Sequence, residues 1–326
     1  MFTMHRLLIF IALIATPFVI TAPAEALTHT WVSNSGSDNN SCDVSSPCAT
    51  FAGAYAKTYS GGEISCLTSG NFGTSGQVTI TMSITINCEG ALGGTSVAGG
   101  NNYSFFSIQT QAGAVVVLRG LDLDGFNVNG CFNDGAISFN GAGVLRIEKS
   151  KISNSGKDCG GVYFLPNGPA ELDISETDIT DNVSQASGTT AGVNIAPRPG
   201  GTAIVSISRS KINGNYFGIV GDGRQGGIIK GTISDSVVSG NTENGVTALS
   251  SGSSVVFTID QTEISVNLAG LFASGGNAGM LANNSTVFNN TIGLDTANGG
   301  ALFTYGNNRV NGNATNGAFT GTAGLQ

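Results

Sequence analysis

The sequence predicts an all-β fold, a right-handed parallel β-helix of roughly ten coils with a short N-terminal capping helix. Three observations carry that prediction. A repeat recurs with a period mostly in the twenties, each later repeat places an asparagine at a fixed offset, and a Gly-apolar pair follows.

The elements follow in chain order. Arg6, the uncharged apolar run Leu7 to Ile20 and the small-residue ending Ala24-Glu25-Ala26 predict a secretory signal peptide over residues 1–26, cut before Leu27. Residues 27–62 are expected to form an N-terminal cap and first coil, and 63–326 the solenoid. The repeat unit is an apolar residue, two polar residues, a small polar anchor, any residue, then Ile, Val or Leu, as in Ile147 to Ile152, Ile174 to Ile179 and Ile207 to Ile212. The anchors are Ser150, Thr177, Ser210, Ser236, Thr262, Ser285 and Asn308, with Leu121 as a divergent earlier copy, at intervals of 29, 27, 33, 26, 26, 23 and 23. Such intervals are too short for two helices, and the runs between Gly and Asn alternate as β-strands do, so each repeat reads as one coil. Coils stacked about 4.8 Å apart give a rod on the order of 50 Å long, and parallel crossovers favour the right hand.

Five residues past the anchor stand Asn182, Asn215, Asn241, Asn267, Asn290 and Asn313. Asparagine tolerates the left-handed region of a sharp turn, and stacked amides can bond along the rod, so this column reads as structural. Gly161-Val162, Gly192-Val193, Gly218-Ile219 and Gly245-Val246 then open the next strand. Alternation puts Ser138, Tyr163, Asn194, Val220, Thr247, Phe272 and Asp295 on its outer face.

Composition narrows the partners. With Glu25 and Arg6 set aside with the leader, 20 acidic residues stand against 12 basic ones, which argues against nucleic acid or an anionic membrane as main partner. No later stretch is long and apolar enough to span a bilayer. The six cysteines all follow residue 26 and suit an oxidising compartment, so the chain is expected to be secreted or periplasmic, and a monomer.

These features resemble the pectate-lyase-like superfamily of parallel β-helices, in which inward asparagine ladders and apolar stacks recur. The opening segment, Trp31-Val32-Ser33, Gly36, Asp38, Pro47, Thr50-Phe51 and Ala54, is similar to the start of many exported bacterial β-helix proteins. That likeness implies a first coil and a capping helix over 50–59 that covers the open end of the solenoid. The cysteines agree: Cys66 and Cys88 lie 22 apart and Cys131 and Cys159 lie 28 apart, each about one coil, leaving Cys42 and Cys48 to close a small loop. No C-x-x-C pair exists and His29 is the one histidine past the leader, so no metal site is expected.

The superfamily includes lyases with an Arg or Lys base and calcium-binding Asp residues, and hydrolases with paired Asp residues. Asn241-Thr242-Glu243-Asn244-Gly245 departs from the Asn-Thr-Asp-Gly of polygalacturonases, and the adjacent Asp pair, Gly-His-Gly and Arg-Ile-Lys are missing. Asp122 and Asp124 suggest paired carboxylates, yet the column Asp122, Lys151, Asp178, Lys211, Val237, Glu263, Thr286, Arg309 reads as a surface charge ladder, as does Lys149, Glu176, Arg209, Asp235.

Two clusters stand outside that pattern. Asp134, Lys157 and Asp158, with Tyr163 nearby, are the candidate catalytic residues, a lysine beside carboxylates being a possible base. The widest interval carries Arg198, and one coil later lies Asp222-Gly223-Arg224. With Tyr163 and Asn194 these form the candidate ligand edge, suited to a bidentate grip on a uronate carboxylate. Calcium is possible but has no supporting motif, and no other cofactor is implied. The leading expectation is an exported β-helix that engages a polysaccharide or cell-surface glycan along its lateral face. A polysaccharide lyase or glycoside hydrolase, and a structural or adhesive envelope protein, are the alternatives.

Overall fold

The computed structural model describes residues 27–73, 77–91, 93–95, 104–125, 135–155, 159–183 and 190–324. It is a parallel β-helix whose coils contribute to three sheets of twelve, ten and nine strands. One coil shows the plan. Strand Gly143–Glu148 lies in the twelve-strand sheet, Lys151–Ser153 in the ten-strand sheet and Gly160–Phe164 in the nine-strand sheet, before Pro169–Ser175 returns to the first. Each strand pairs in parallel with its counterpart one coil away, as in Leu145↔Leu172, Ile152↔Ile179 and Val162↔Val193.

The corners explain the repeat. Between the first two strands the residue before the anchor takes positive φ: Lys149 48°, Glu176 51°, Arg209 47°, Asp235 48° and Gln261 46°. The buried anchor hydroxyl then stitches the corner. Ser150 Oγ donates to Glu148 O (2.8 Å) and accepts from Leu121 N (3.1 Å), and Ser210 Oγ likewise serves Ser208 O and Thr177 N at 2.8 and 3.2 Å. The hydroxyl thus supplies a local acceptor and donor where the sheet ladder is broken.

At the second corner the asparagine amides form a continuous column. Nδ2 of Asn182, Asn215, Asn241, Asn267 and Asn290 donates to Oδ1 of the next at 3.0, 3.2, 2.9, 3.0 and 3.0 Å. Each Oδ1 also accepts a backbone N–H from the preceding coil, for example Asn215 N at 3.0 Å from Asn241 Oδ1. The glycine that follows is required by this amide. A Cβ on Gly192 would lie 2.8 Å from Asn215 Nδ2, and one on Gly218 3.0 Å from Asn241 Nδ2.

Inward side chains fill the rod. Leu123, Ile152, Ile179, Ile212, Val238 and Ile264 are fully buried behind the ten-strand sheet. Where Gly231 and Gly221 leave the interior empty, Phe257 takes the space, its ring 2.4 and 2.5 Å from where their Cβ atoms would stand. At the N-terminal end, Thr50 caps a helix of Phe51–Tyr55, its side chain accepting from Gly53 N. Phe51 packs against Phe72 and Phe106 at 5.4 and 6.0 Å. The helix is shorter than the expected 50–59 because the chain is already extended in strand Thr58–Cys66. Asp38 of the opening motif is structural: its Oδ1 accepts from Ala49 N and Thr50 N and its Oδ2 from Thr50 Oγ1.

Disulfides join Cys42 to Cys48 and Cys66 to Cys88, with Cα atoms 4.7 and 4.8 Å apart. Cys159 is also disulfide-bonded; Cys131 lies outside the described residues, as does the signal peptide expected over 1–26.

Candidate functional site

Asp134, Lys157 and Asp158 lie outside the described residues. The ligand-edge residues are described. Tyr163 and Asn194 stand in one register column with Ser138, Val220, Thr247, Phe272 and Asp295. They were expected to be exposed, and this is corrected: Tyr163 is 3% and Asn194 6% exposed. The tyrosine ring lies along the sheet over two glycines, within 2.8 Å of a Cβ built on Gly135 and 3.1 Å of one on Gly160.

The loops carrying Arg198 and Arg224 do stack, since a Cβ on Gly227 would fall 2.4 Å from Pro197 O. Their guanidinium groups differ. Arg224 is forked onto Asp222, Nε to Oδ1 at 2.9 Å and Nη2 to Oδ2 at 2.7 Å, so the bidentate face meant for a uronate is already filled. That hydrogen bond and charge raise the Arg224 pKa further. Arg198 is exposed, with Nη2 3.5 Å from Asn140 Oδ1.

A concave site lies elsewhere, at the corner between the twelve- and ten-strand sheets. A groove of about 720 Å³ crosses five coils there, and its charged lining is Glu89, Asp122, Lys149, Lys151, Glu176 and Asp178. Gly120, in the lining, occupies the corner position that Lys149, Glu176 and Arg209 fill in later coils, with φ 66°. The Cys88–Glu89 backbone stands where its Cβ would be, within 2.5 Å, and the groove opens beside it. Lys149 spans the groove to reach Glu89, Nζ to Oε1 at 2.5 Å. The hydrogen bond and the opposed charges hold the Glu89 carboxyl below its usual range and raise the Lys149 ammonium.

Asp122, Lys151 and Asp178 of the groove, and Lys211 one coil beyond it, sit in consecutive register. The expected charge ladder is only partly formed. Lys211 approaches Asp178 at 3.9 Å and Arg209 approaches Glu176 at 3.5 Å, but Lys151 makes no salt bridge among the described residues. Asp122 Oδ1 is buried with no hydrogen-bond partner among the described residues. A desolvated acceptor left unpaired costs about 1–3 kcal/mol. The sequence exposed these charges but not the groove that they line.

Among the described residues there is no group of three or more His, Cys, Asp or Glu arranged to hold a metal ion, and no helix long and apolar enough to cross a membrane.

No family model matches the chain, and no curated protein matches it. Solved structures do. The chain is similar to a rhamnogalacturonan lyase, at 11% identity and a TM-score of 0.55 over 84% of this chain and 75% of that one. It is similar also to XylC, solved in complex with xylose, at 10% identity and a TM-score of 0.52 over 84% of this chain and 68% of that one. A pectate lyase, Pel9A, aligns at 13% identity with a TM-score of 0.46, over 85% of this chain and 74% of that one. At such identities the likeness is one of fold. The chain has the parallel β-helix fold that these structures share.

Proposed function

We propose that this is an exported β-helix protein that binds a neutral polysaccharide lengthwise in the groove between the twelve- and ten-strand sheets. The observation that carries the reading is an open groove lined by Asp122, Lys151 and Asp178 in consecutive register, with Lys151 in no salt bridge among the described residues. Sugar hydroxyls both donate and accept, so alternating carboxylates and ammonium groups suit them. The outermost coils of the groove are about 19 Å apart, room for several sugar units along the rod.

Charge favours a neutral chain over a polyuronate. The lining holds four carboxylates against two ammonium groups, and the whole chain carries a net charge of −8. Disulfides in a chain that begins with an apolar leader support export to an oxidising compartment, secreted or periplasmic. Structures similar in fold include one named a rhamnogalacturonan lyase and one solved with xylose, which agrees with a carbohydrate partner.

The test is affinity electrophoresis and calorimetry of the mature chain against xylan, mixed-linkage glucan and galactomannan beside polygalacturonate and alginate. Unsaturated-product absorbance and new reducing ends are recorded on the same samples. Retention by a neutral polymer, weakened at least tenfold in Asp122→Ala and in Lys151→Ala, supports the reading. Retention by polyuronates alone, or retention indifferent to both substitutions, overturns it. Turnover would make the same groove an active site.

A further inference from the structure

The groove does not stop at Glu89. On the outer face of the twelve-strand sheet, Trp31, Ser65 and Asn87 stand in consecutive register, and Ser69 and Glu89 of the groove follow a few residues after Ser65 and Asn87. Trp31 is the chain's single tryptophan, and it lies partly exposed on the first strand of that sheet. His29, two residues earlier and so on the same face, stacks on it with ring centroids 3.9 Å apart and planes 19° apart.

The polar groups beside this pair form one network. His29 Nε2 and Ser65 Oγ share a hydrogen bond of 2.8 Å, Ser65 Oγ donates to Glu63 Oε1 at 2.9 Å, and Asn87 Nδ2 donates to the same oxygen at 3.1 Å. Glu63 Oε2 has no partner among the described residues, and the Glu63 side chain is 37% exposed. The strand beneath is held rigidly, Trp31 N donating to Cys42 O and Cys48 N to Trp31 O on either side of the disulfide loop.

We propose that the His29–Trp31 pair, with Glu63 as acceptor, forms a sugar-ring subsite at the N-terminal end of the groove. This rests on the glycan reading above. A pyranose offers an apolar face of C–H groups to an aromatic surface and hydroxyls at its rim to a carboxylate, the two chemistries that meet here. The network fixes the carboxylate before the sugar arrives, through Oε1, and leaves Oε2 for the ligand.

Because no second tryptophan exists, intrinsic emission reports this position alone. The mature chain is titrated with cellohexaose, xylohexaose and mannohexaose, following emission and heat in parallel. The expected result is an emission change that saturates with the calorimetric isotherm, an affinity loss of about three- to tenfold in Trp31→Ala, a similar loss in Glu63→Gln, and partial retention in Trp31→Phe. The Asp122→Ala chain keeps the emission change at saturation while binding more weakly. Heat without an emission change, or an affinity indifferent to Trp31→Ala and Glu63→Gln but sensitive to Asp122→Ala, overturns the subsite and leaves the groove standing. An absence of heat with all three hexaoses and with their polymers overturns both.

Discussion

Replacing Asn241 by alanine removes the central member of the amide column. Its Nδ2 donates to Ile212 O at 3.2 Å and to Asn267 Oδ1 at 2.9 Å, while its Oδ1 accepts from Asn215 N at 3.0 Å and Asn215 Nδ2 at 3.2 Å. Asn241 is 2% exposed, so water does not replace these partners. Some groups keep a second bond: Asn267 Oδ1 still accepts from Asn241 N at 3.1 Å, and Asn215 Nδ2 still donates to Ile179 O at 3.0 Å. Asn215 N loses its acceptor. Four net hydrogen bonds at roughly 1 kcal/mol each, with one buried donor stranded, put the cost at about 4 kcal/mol.

The terminal member supplies the contrast. Asn316 Oδ1 accepts from Asn313 N and Nδ2 at 3.3 and 3.0 Å, but the residue is exposed and water can stand in for it. Asn316→Ala should therefore cost less than about 1 kcal/mol. Urea unfolding measures both, and hydrogen exchange at 212–219 localises the first, since coils of a solenoid can open separately. Glycan affinity should be unchanged in Asn241→Ala at temperatures where it stays folded. A cost for Asn241→Ala below about 1 kcal/mol, or equal to that for Asn316→Ala, would refute the assignment of the column as the brace of the rod.

Three further outcomes are expected. Gln261 is exposed at φ 46°, a conformation costing a non-glycine residue about 1–2 kcal/mol; set against glycine's greater unfolded entropy of about 0.5–1 kcal/mol, Gln261→Gly should stabilise by about 0.5–1 kcal/mol in thermal unfolding. Removing the Cys66–Cys88 bridge as the double serine variant frees a loop with a sequence separation of 22 and should cost about 3 kcal/mol in urea. Hydrogen bonds from Ser41, then Ser45, hold the Asp43 carboxyl down at about 2 against an ordinary 3.8. A depressed pKa stabilises the folded loop fully above 3.8 and loses that contribution as pH falls towards 2, so an NMR titration of Asp43 should show its midpoint near the lower value.

Much of the fold was legible because a solenoid writes its geometry into its period. Counting from the anchors placed Tyr163 beside Asn194 and Asp122 beside Lys151, and the registers agree. The corner chemistry was legible too, since hydroxyl and amide recur at fixed offsets. What the period cannot convey is how a side chain leaves its strand. Tyr163 faces outward as alternation requires, yet glycines at 135 and 160 let its ring lie down against the sheet. Arg224 sits two residues from a carboxylate whose orientation follows from the turn at Gly223, and so it is paired locally. The groove escaped notice for the same reason: an alternating row of charges reads as a ladder until the distances at Lys151 and Asp122 are known.

The most direct test of the glycan groove is calorimetric titration of one neutral oligosaccharide series into the native chain and into an Asp122→Ala/Lys151→Ala double variant of matched stability. Binding to the native chain that falls at least tenfold in the double variant is the predicted result. Equal binding by both chains, or binding by neither, would contradict it.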